Sequence, residues 1–252
     1  MKEDGQATKY EKRRISLKKL KTLIVLGCFA AVVVFCGSAF ADFEVYFMRH
    51  GETPWNRAKI LQGSIATIDL TSVGVAMAEE TAATLMRNGI SFDRVYTSPY
   101  VRARHTAEIL AKASDVKPVE EPRIRERCCG TAEGRPYGDS DGLARNMAAA
   151  TGVESIEAVT VRVLDFLERE LKPLDGKVSR VLCISHTLLL NILEKNLSNG
   201  EIRKSLLPNC CLHVLIYRNG RFVLKERAKI FYDEDHYRTT SSNADFKRGS
   251  PQ

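Results

Sequence analysis

Two of the five histidines, His50 and His186, each stand just after a short apolar run: residues 43–48 (FEVYFM) lead into Arg49, and residues 180–184 (RVLCI) lead into Ser185. Runs of this length and composition read as buried strands, and in open α/β sheets ligands bind beyond the carboxyl ends of strands. The two imidazoles are therefore candidates for one site. Around the first, Arg49-His50-Gly51 sets a cation, an imidazole and a flexible glycine in consecutive positions, so that side chains and backbone can converge on a phosphate-sized anion. A second group, residues 98–107 (SPYVRARHTA), follows another strand-like run and puts Arg102 within the first turn of a helix, where helix amides also attract anions. The chemistry these types suit is capture of a phosphoryl group beside an imidazole.

The elements that must position these residues follow from pattern. Residues 71–89 have helical spacing, with Thr71 placed as cap, Glu79 and Glu80 expected to be exposed, and Asn88-Gly89 as the stop. Residues 93–97 (DRVYT) read as a strand, followed by a helix starting at Pro99, since proline suits a first turn. Residues 119–125 are expected to be extended and residues 130–142, rich in Gly, Asp and Ser, to form a loop. An amphipathic helix spans residues 155–171 and another spans 188–197. Residues 211–217 and 221–225, joined by Asn219-Gly220, form a hairpin. Strands alternating with helices predict an α/β fold, a three-layer α/β/α sandwich with a mainly parallel sheet. Residues 236–252 (HYRTTSSNADFKRGSPQ) are polar and turn-rich and are expected to be a disordered tail.

Four motifs in order, Arg-His-Gly-Glu-Thr-x-Trp-Asn from Arg49 to Asn56, Ser-x-x-x-Arg-Ala-x-x-Thr-Ala from Ser98, Ile-Arg-Glu-x-x-x-Gly-x-x-Glu-Gly from Ile124 to Gly134, and Val-Leu-Cys-Ile-Ser-His ending at His186, resemble the motif series of the phosphoglycerate mutase-like histidine phosphatases (branch 1). The similarity runs from about residue 44 to residue 226 within an expected domain of residues 42–235. The resemblance implies that His50 is the nucleophile and forms a phosphohistidine. It implies that Arg49, Asn56, Arg102 and His186 hold the phosphoryl oxygens and that Glu126 is the general acid and base. Nothing in that scheme requires a metal or another cofactor. Glu133 fits the spacing and reads as structural, in a turn with Gly134. There are three departures from the family's pattern: Thr187 stands where Gly is usual after the second histidine, Ala66 and Asp69 occupy positions usually held by Asp and Pro, and Cys128-Cys129 follow the acid.

Within the family a phosphomonoester hydrolase is expected in preference to a mutase. Glu126 and His186 are only about 60 residues apart, and Arg135 and Arg145 are the sole basic residues between positions 130 and 160, so the basic lid of a mutase is missing. The alternatives are a phosphoglycerate mutase-type phosphotransferase and a catalytically inactive phosphate-binding module, for which Thr187 is the main argument. The expected partner is a small phosphorylated substrate; its identity and the oligomeric state are not legible.

Charge and composition separate the remaining classes. Of the net +7, residues 1–21 supply +5, with eight Lys or Arg against three acidic residues, so a basic folded face for nucleic acid is not expected. This basic n-region, residues 1–22, leads into the apolar run 23–35 and then the small residues Ala39 and Ala41, the order of a secretory signal, with an uncleaved membrane anchor over residues 23–41 as the alternative. Export to the periplasm or the outside, or tethering to the membrane, is expected from either. The cysteine pairs 128–129 and 210–211 have no zinc-like spacing and read as buried or half-buried thiols, although disulfides between the pairs become possible in an exported domain.

Overall fold

The seven residues of β1 (Phe43–Arg49) are the hub of the molecule: alternate side chains leave opposite faces of the strand, and both faces are buried. Val45 and Phe47 enter one apolar core, and Tyr46 and Met48 enter a second. The computed structural model describes residues 42–198 and 207–237. The expected n-region and the signal or anchor segment, and residues 238–252 of the expected tail, lie outside the described residues. Among the described residues no helix is long and apolar enough to cross a membrane.

In chain order β1 is followed by α1 (Pro54–Arg57), α2 (Ser72–Arg87), β2 (Arg94–Thr97), α3 (Val101–Lys112), β3 (Val119–Glu120), α4 (Ser140–Ala148), α5 (Ile156–Phe166), β4 (Arg180–Ser185), α6 (Thr187–Leu197), β5 (Leu212–Arg218), β6 (Arg221–Lys229) and α7 (Glu234–Tyr237). The strands form one sheet of order β3-β2-β4-β1-β5-β6, parallel from β3 to β1 and antiparallel from β1 to β6. Val159, Val163 and Phe166 of α5 and Leu189, Leu190 and Leu193 of α6 pack on the face that carries Val45 and Phe47. Met77, Ala78 and Leu85 of α2 and Ala103, Ala107 and Leu110 of α3 cover the other face. The result is the three-layer α/β/α sandwich read from the pattern, with a mainly parallel sheet.

Local chemistry explains the element boundaries. Thr71 caps α2 by accepting from the Gly74 N–H, and Ser155 caps α5 by accepting from the Ala158 N–H. Asn219 and Gly220 both have positive φ, 54° and 80°, as a two-residue type I′ hairpin requires. Some expectations need correction. The helix after β2 begins at Val101, not at Pro99, because Tyr100 stays extended while the Val101 N–H donates to Ala66 O at 2.9 Å. The extended segment 119–125 shortens to β3, since Glu121 accepts from the Arg123 N–H and opens a 3₁₀ turn at Pro122–Ile124. The loop expected over 130–142 ends early, where Asp139 caps α4 by accepting from the Gly142 N–H at 2.7 Å. Glu79 is exposed but Glu80 is half-buried. His236 and Tyr237, placed in the expected disordered tail, belong to α7, where the Tyr237 ring is buried against Tyr232 at a centroid distance of 5.6 Å.

Candidate active site

Register brings the two histidines together. Arg49 pairs with Ser185 across the parallel strands β1 and β4, so the next residue of each strand, His50 and His186, emerges at the same carboxyl end. The His50 N–H donates to Ser185 O at 3.1 Å, and the two rings lie edge to face with centroids 5.2 Å apart. Thr97 of β2 pairs with Ile184, which carries Ser98 to the same rim. Ser185 Oγ donates to Ile124 O at 2.9 Å and draws the segment before Glu126 over the end of β4.

Hydrogen bonding sets the tautomer of His50. His50 Nδ1 lies 2.7 Å from Gly51 O, and a carbonyl only accepts, so Nδ1 carries the proton and Nε2 keeps its lone pair. Burial holds the His50 pKa well below its ordinary 6.5, and the charges of Arg102 and Arg49 push the same way against the Gly51 carbonyl. His186 is also held well below 6.5, by burial first and then by Arg102 and His50. Its Nε2 meets Ser98 Oγ at 2.8 Å, while Ser98 Oγ accepts a long bond from the Tyr100 N–H at 3.5 Å. In the tautomer whose Nε2 accepts from Ser98 Oγ, the neutral His186 ring presents Nδ1 as an N–H donor.

Arg49 and Arg102 are buried, at 7% and 1% exposure, and line a cavity of about 510 Å³ together with His50, Asn56 and Glu126. Arg102 donates from Nη1 to Ile65 O at 2.7 Å and from Nη2 to Gly63 O at 2.9 Å, and it stacks over Tyr100 at 4.9 Å. Burial lowers its pKa to about 10, so it remains a cation at neutral pH. Arg49 Nη1 donates to Leu207 O. Arg49 Nε and Arg102 Nε, on two residues that line the cavity, and His186 Nδ1 are buried without a protein partner. Buried polar groups are normally paired, and orphaned donors suit an anion. Asn56 completes a capping box with Thr53, and its Oδ1 accepts from Thr53 N, Thr53 Oγ1 and Asn209 Nδ2, which leaves its amide N–H groups for a ligand.

Glu126 lines the same cavity and accepts from the Arg127 N–H at 2.8 Å. Burial raises its pKa above the ordinary 4.5, against the lowering effects of that N–H and of Arg102, Arg162 and Arg49. All six residues singled out in the sequence thus meet at one rim of the sheet. Glu133 is tied into structure: its Oε1 accepts from Ser64 N, Ser64 Oγ and Cys129 N, all within 2.8 Å. It thereby braces the loop whose Gly63 and Ile65 carbonyls hold Arg102. Thr187, the first residue of α6, lines the cavity in the place where Gly is usual. Ala66 and Asp69 anchor their loop to α3, through the Val101 N–H and through His105 Nδ1 at 2.7 Å. All five cysteines among the described residues are free thiols, and burial pushes that of Cys129 up to about 12, so it stays protonated at neutral pH.

Sequence reasoning missed Asn209, which is wholly buried, donates to His50 O at 3.0 Å and bonds Asn56. It also missed Glu52, whose buried Oε1 accepts from Arg57 Nη2 at 2.6 Å and Thr71 Oγ1 at 2.8 Å, so that it clamps the turn after His50 to the start of α2. The Thr71 spacing hinted at the second; nothing local signals the first.

The family model of the histidine phosphatase superfamily (branch 1) matches residues 45–229. The chain belongs to this superfamily. Among its relatives is an uncharacterized phosphatase, PhoE of Bacillus subtilis (strain 168), 30% identical over 189 residues that cover 72% of this chain and 92% of that protein. A fructose-2,6-bisphosphatase, TIGAR of Xenopus tropicalis, is 32% identical over 138 residues, 51% of this chain and half of its own length. Of solved structures, a phosphoserine phosphatase from Entamoeba histolytica in complex with phosphoserine aligns with a TM-score of 0.58 at 28% identity, covering 73% of this chain and 95% of that one. A phosphoglycerate mutase from Bacillus anthracis shares the fold at a TM-score of 0.66 and 21% identity, covering 74% and 93%. This histidine phosphatase is an enzyme of the phosphomonoester-hydrolase type, with the phosphoglycerate mutase-like architecture.

Proposed function

We propose that the protein hydrolyses small phosphomonoesters through a phosphohistidine on His50, with Glu126 as general acid and base. The observation that carries this reading is the His50 tautomer: with Nδ1–H bonded to Gly51 O, the Nε2 lone pair is free beside two buried arginines. Nε2 attacks phosphorus in line, the P–O ester bond breaks, and the carboxyl proton of Glu126 passes to the leaving oxygen. The carboxylate then takes a proton from water as its oxygen attacks phosphorus, the Nε2–P bond breaks, and phosphate leaves with Glu126 reprotonated. Arg49, Arg102, Asn56 and the His186 Nδ1–H donate to the phosphoryl oxygens and stabilise the charge that develops on them.

Hydrolysis is favoured over transfer because, among the described residues, Arg127 is the only cation lining the cavity besides Arg49 and Arg102. A non-catalytic binding module is disfavoured, since nucleophile, acid and cradle are all retained. For the N-terminus, the order of basic residues 1–22, apolar residues and Ala39-Phe40-Ala41 supports export or anchoring through residues 23–41. The test is p-nitrophenyl phosphate hydrolysis in EDTA by the wild type and His50→Ala. Turnover is expected in the wild type and less than about a hundredth of it in the variant; comparable rates in both would refute the reading.

A further inference from the structure

We infer that the leaving-group side of this cavity is built for an apolar, uncharged alcohol, so that the preferred substrates are phosphomonoesters of alkyl or aryl alcohols and not of hydroxy acids. The inference rests on the phosphatase reading above and specifies its substrate class. Away from the arginines, the cavity wall is made by Ile60 and Leu61, by Leu143 and Met147 of α4, and by Leu188 of α6. Leu143 and Met147, one helical turn apart, belong to neither core of the sandwich. The main apolar side chains of α4 therefore face the cavity in place of the protein interior, an arrangement that needs an apolar occupant to be buried from water.

Hydrogen bonds tie much of this wall together. The Leu61 N–H donates to Arg135 O at 3.0 Å, the Gly134 N–H donates to Leu61 O at 2.9 Å, and Ile60 bridges Pro136. Asn146 Nδ2 donates to Pro136 O at 2.9 Å and ties α4 to the same segment. A preformed wall binds without an ordering penalty. At about 510 Å³ the cavity falls within the ~300–1,000 Å³ range of small-molecule sites and leaves room beyond one phosphoryl group. Among the described residues a substrate carboxylate would find one cation there, Arg127, whose Nε already donates to Glu154 O at 2.5 Å, and it would stand close to Glu126. Gln62, Tyr137, Ser140 and Asn191 add neutral polar groups to the lining.

The experiment measures phosphate release from the linear alkyl phosphates, methyl to hexyl, whose leaving alcohols have closely similar acidity, beside O-phosphoserine and 3-phosphoglycerate. The kcat/KM is expected to rise about two- to fourfold per methylene until the wall is covered, the factor that burying a methylene supplies. Hexyl phosphate is expected to exceed both acid-bearing esters by about tenfold or more. The double variant Leu143→Asn, Met147→Gln should lower the hexyl-to-ethyl ratio of kcat/KM by about tenfold, a ratio that a general loss of folded enzyme would not change. A flat series, or a preference for phosphoserine or phosphoglycerate, overturns this inference while leaving the phosphatase reading intact. Failure to hydrolyse any ester overturns both.

Discussion

For His50 the decisive contact is with its own neighbour. The Gly51 carbonyl selects the tautomer, while burial and two arginines keep the ring neutral, so the nucleophile needs no separate base. Glu126 is shifted the opposite way, its pKa raised by burial above the ordinary carboxyl value, which suits a group that first gives a proton and then takes one. Glu126→Gln should therefore slow alkyl phosphates by about a hundredfold or more and p-nitrophenyl phosphate far less, because nitrophenolate leaves without a proton. Equal losses on both substrates would assign the acid to another residue. The gathering of Arg49, His50, Arg102 and His186 at one rim was legible because each follows a strand-like run, whereas Asn56 and Glu126 entered through the resemblance of their motifs to the family's. Asn209 was not legible, because its bonds to His50 and Asn56 join positions about 150 residues apart and depend on β5 returning beside β1. Glu133 was legible as structural, but its grip on Ser64, and through that loop on Arg102, is a tertiary contact.

The elements position these residues through close backbone approach. The start of α2 lies against the turn after β1: a Cβ on Gly74 would stand 2.2 Å from Glu52 O, and one on Gly51 would stand 2.6 Å from Gly74 O. Backbone cannot yield there as a flexible side chain would, so Gly74→Ala should destabilise the fold by about 2–3 kcal/mol and lower kcat as the Arg49-His50 turn shifts. Urea unfolding and p-nitrophenyl phosphate turnover measure both; wild-type values would mean that α2 does not set the turn. Periodicity located β1, α2, α5, β4 and the β5–β6 hairpin, where a two- or 3.6-residue repeat is long enough to read. It missed α4 because Asp139-Ser140-Asp141-Gly142 has the composition of a turn, while Asp139 in fact caps a helix whose apolar side faces a cavity. It started α3 too early because proline's preference for a first turn yielded to the Val101 bond to Ala66.

The whole molecule buries three imidazoles, His50, His186 and His213, all with pKa values lowered by burial; that of His213 falls to about 4. Each binds its proton in the unfolded chain near pH 6.5 but not in the folded one, so its stabilising contribution is present above 6.5 and is lost as pH falls toward the folded value. Glu126, raised in the folded state, opposes this with the reverse sign, as one group against three. Net stability should fall from pH 7 to pH 5 in phosphate-free buffer, read from urea midpoints at constant ionic strength; a flat or rising profile would mean that the buried rings do not stay neutral. The sandwich buries its histidine pair, and the proposed mechanism would leave a covalent mark on it. The most direct test is rapid quench of the protein with a ³²P-labelled phosphomonoester followed by peptide mapping. The account predicts an acid-labile, base-stable label on Nε2 of His50, absent from His50→Ala. Turnover without any such label, or a label on another residue, would contradict it.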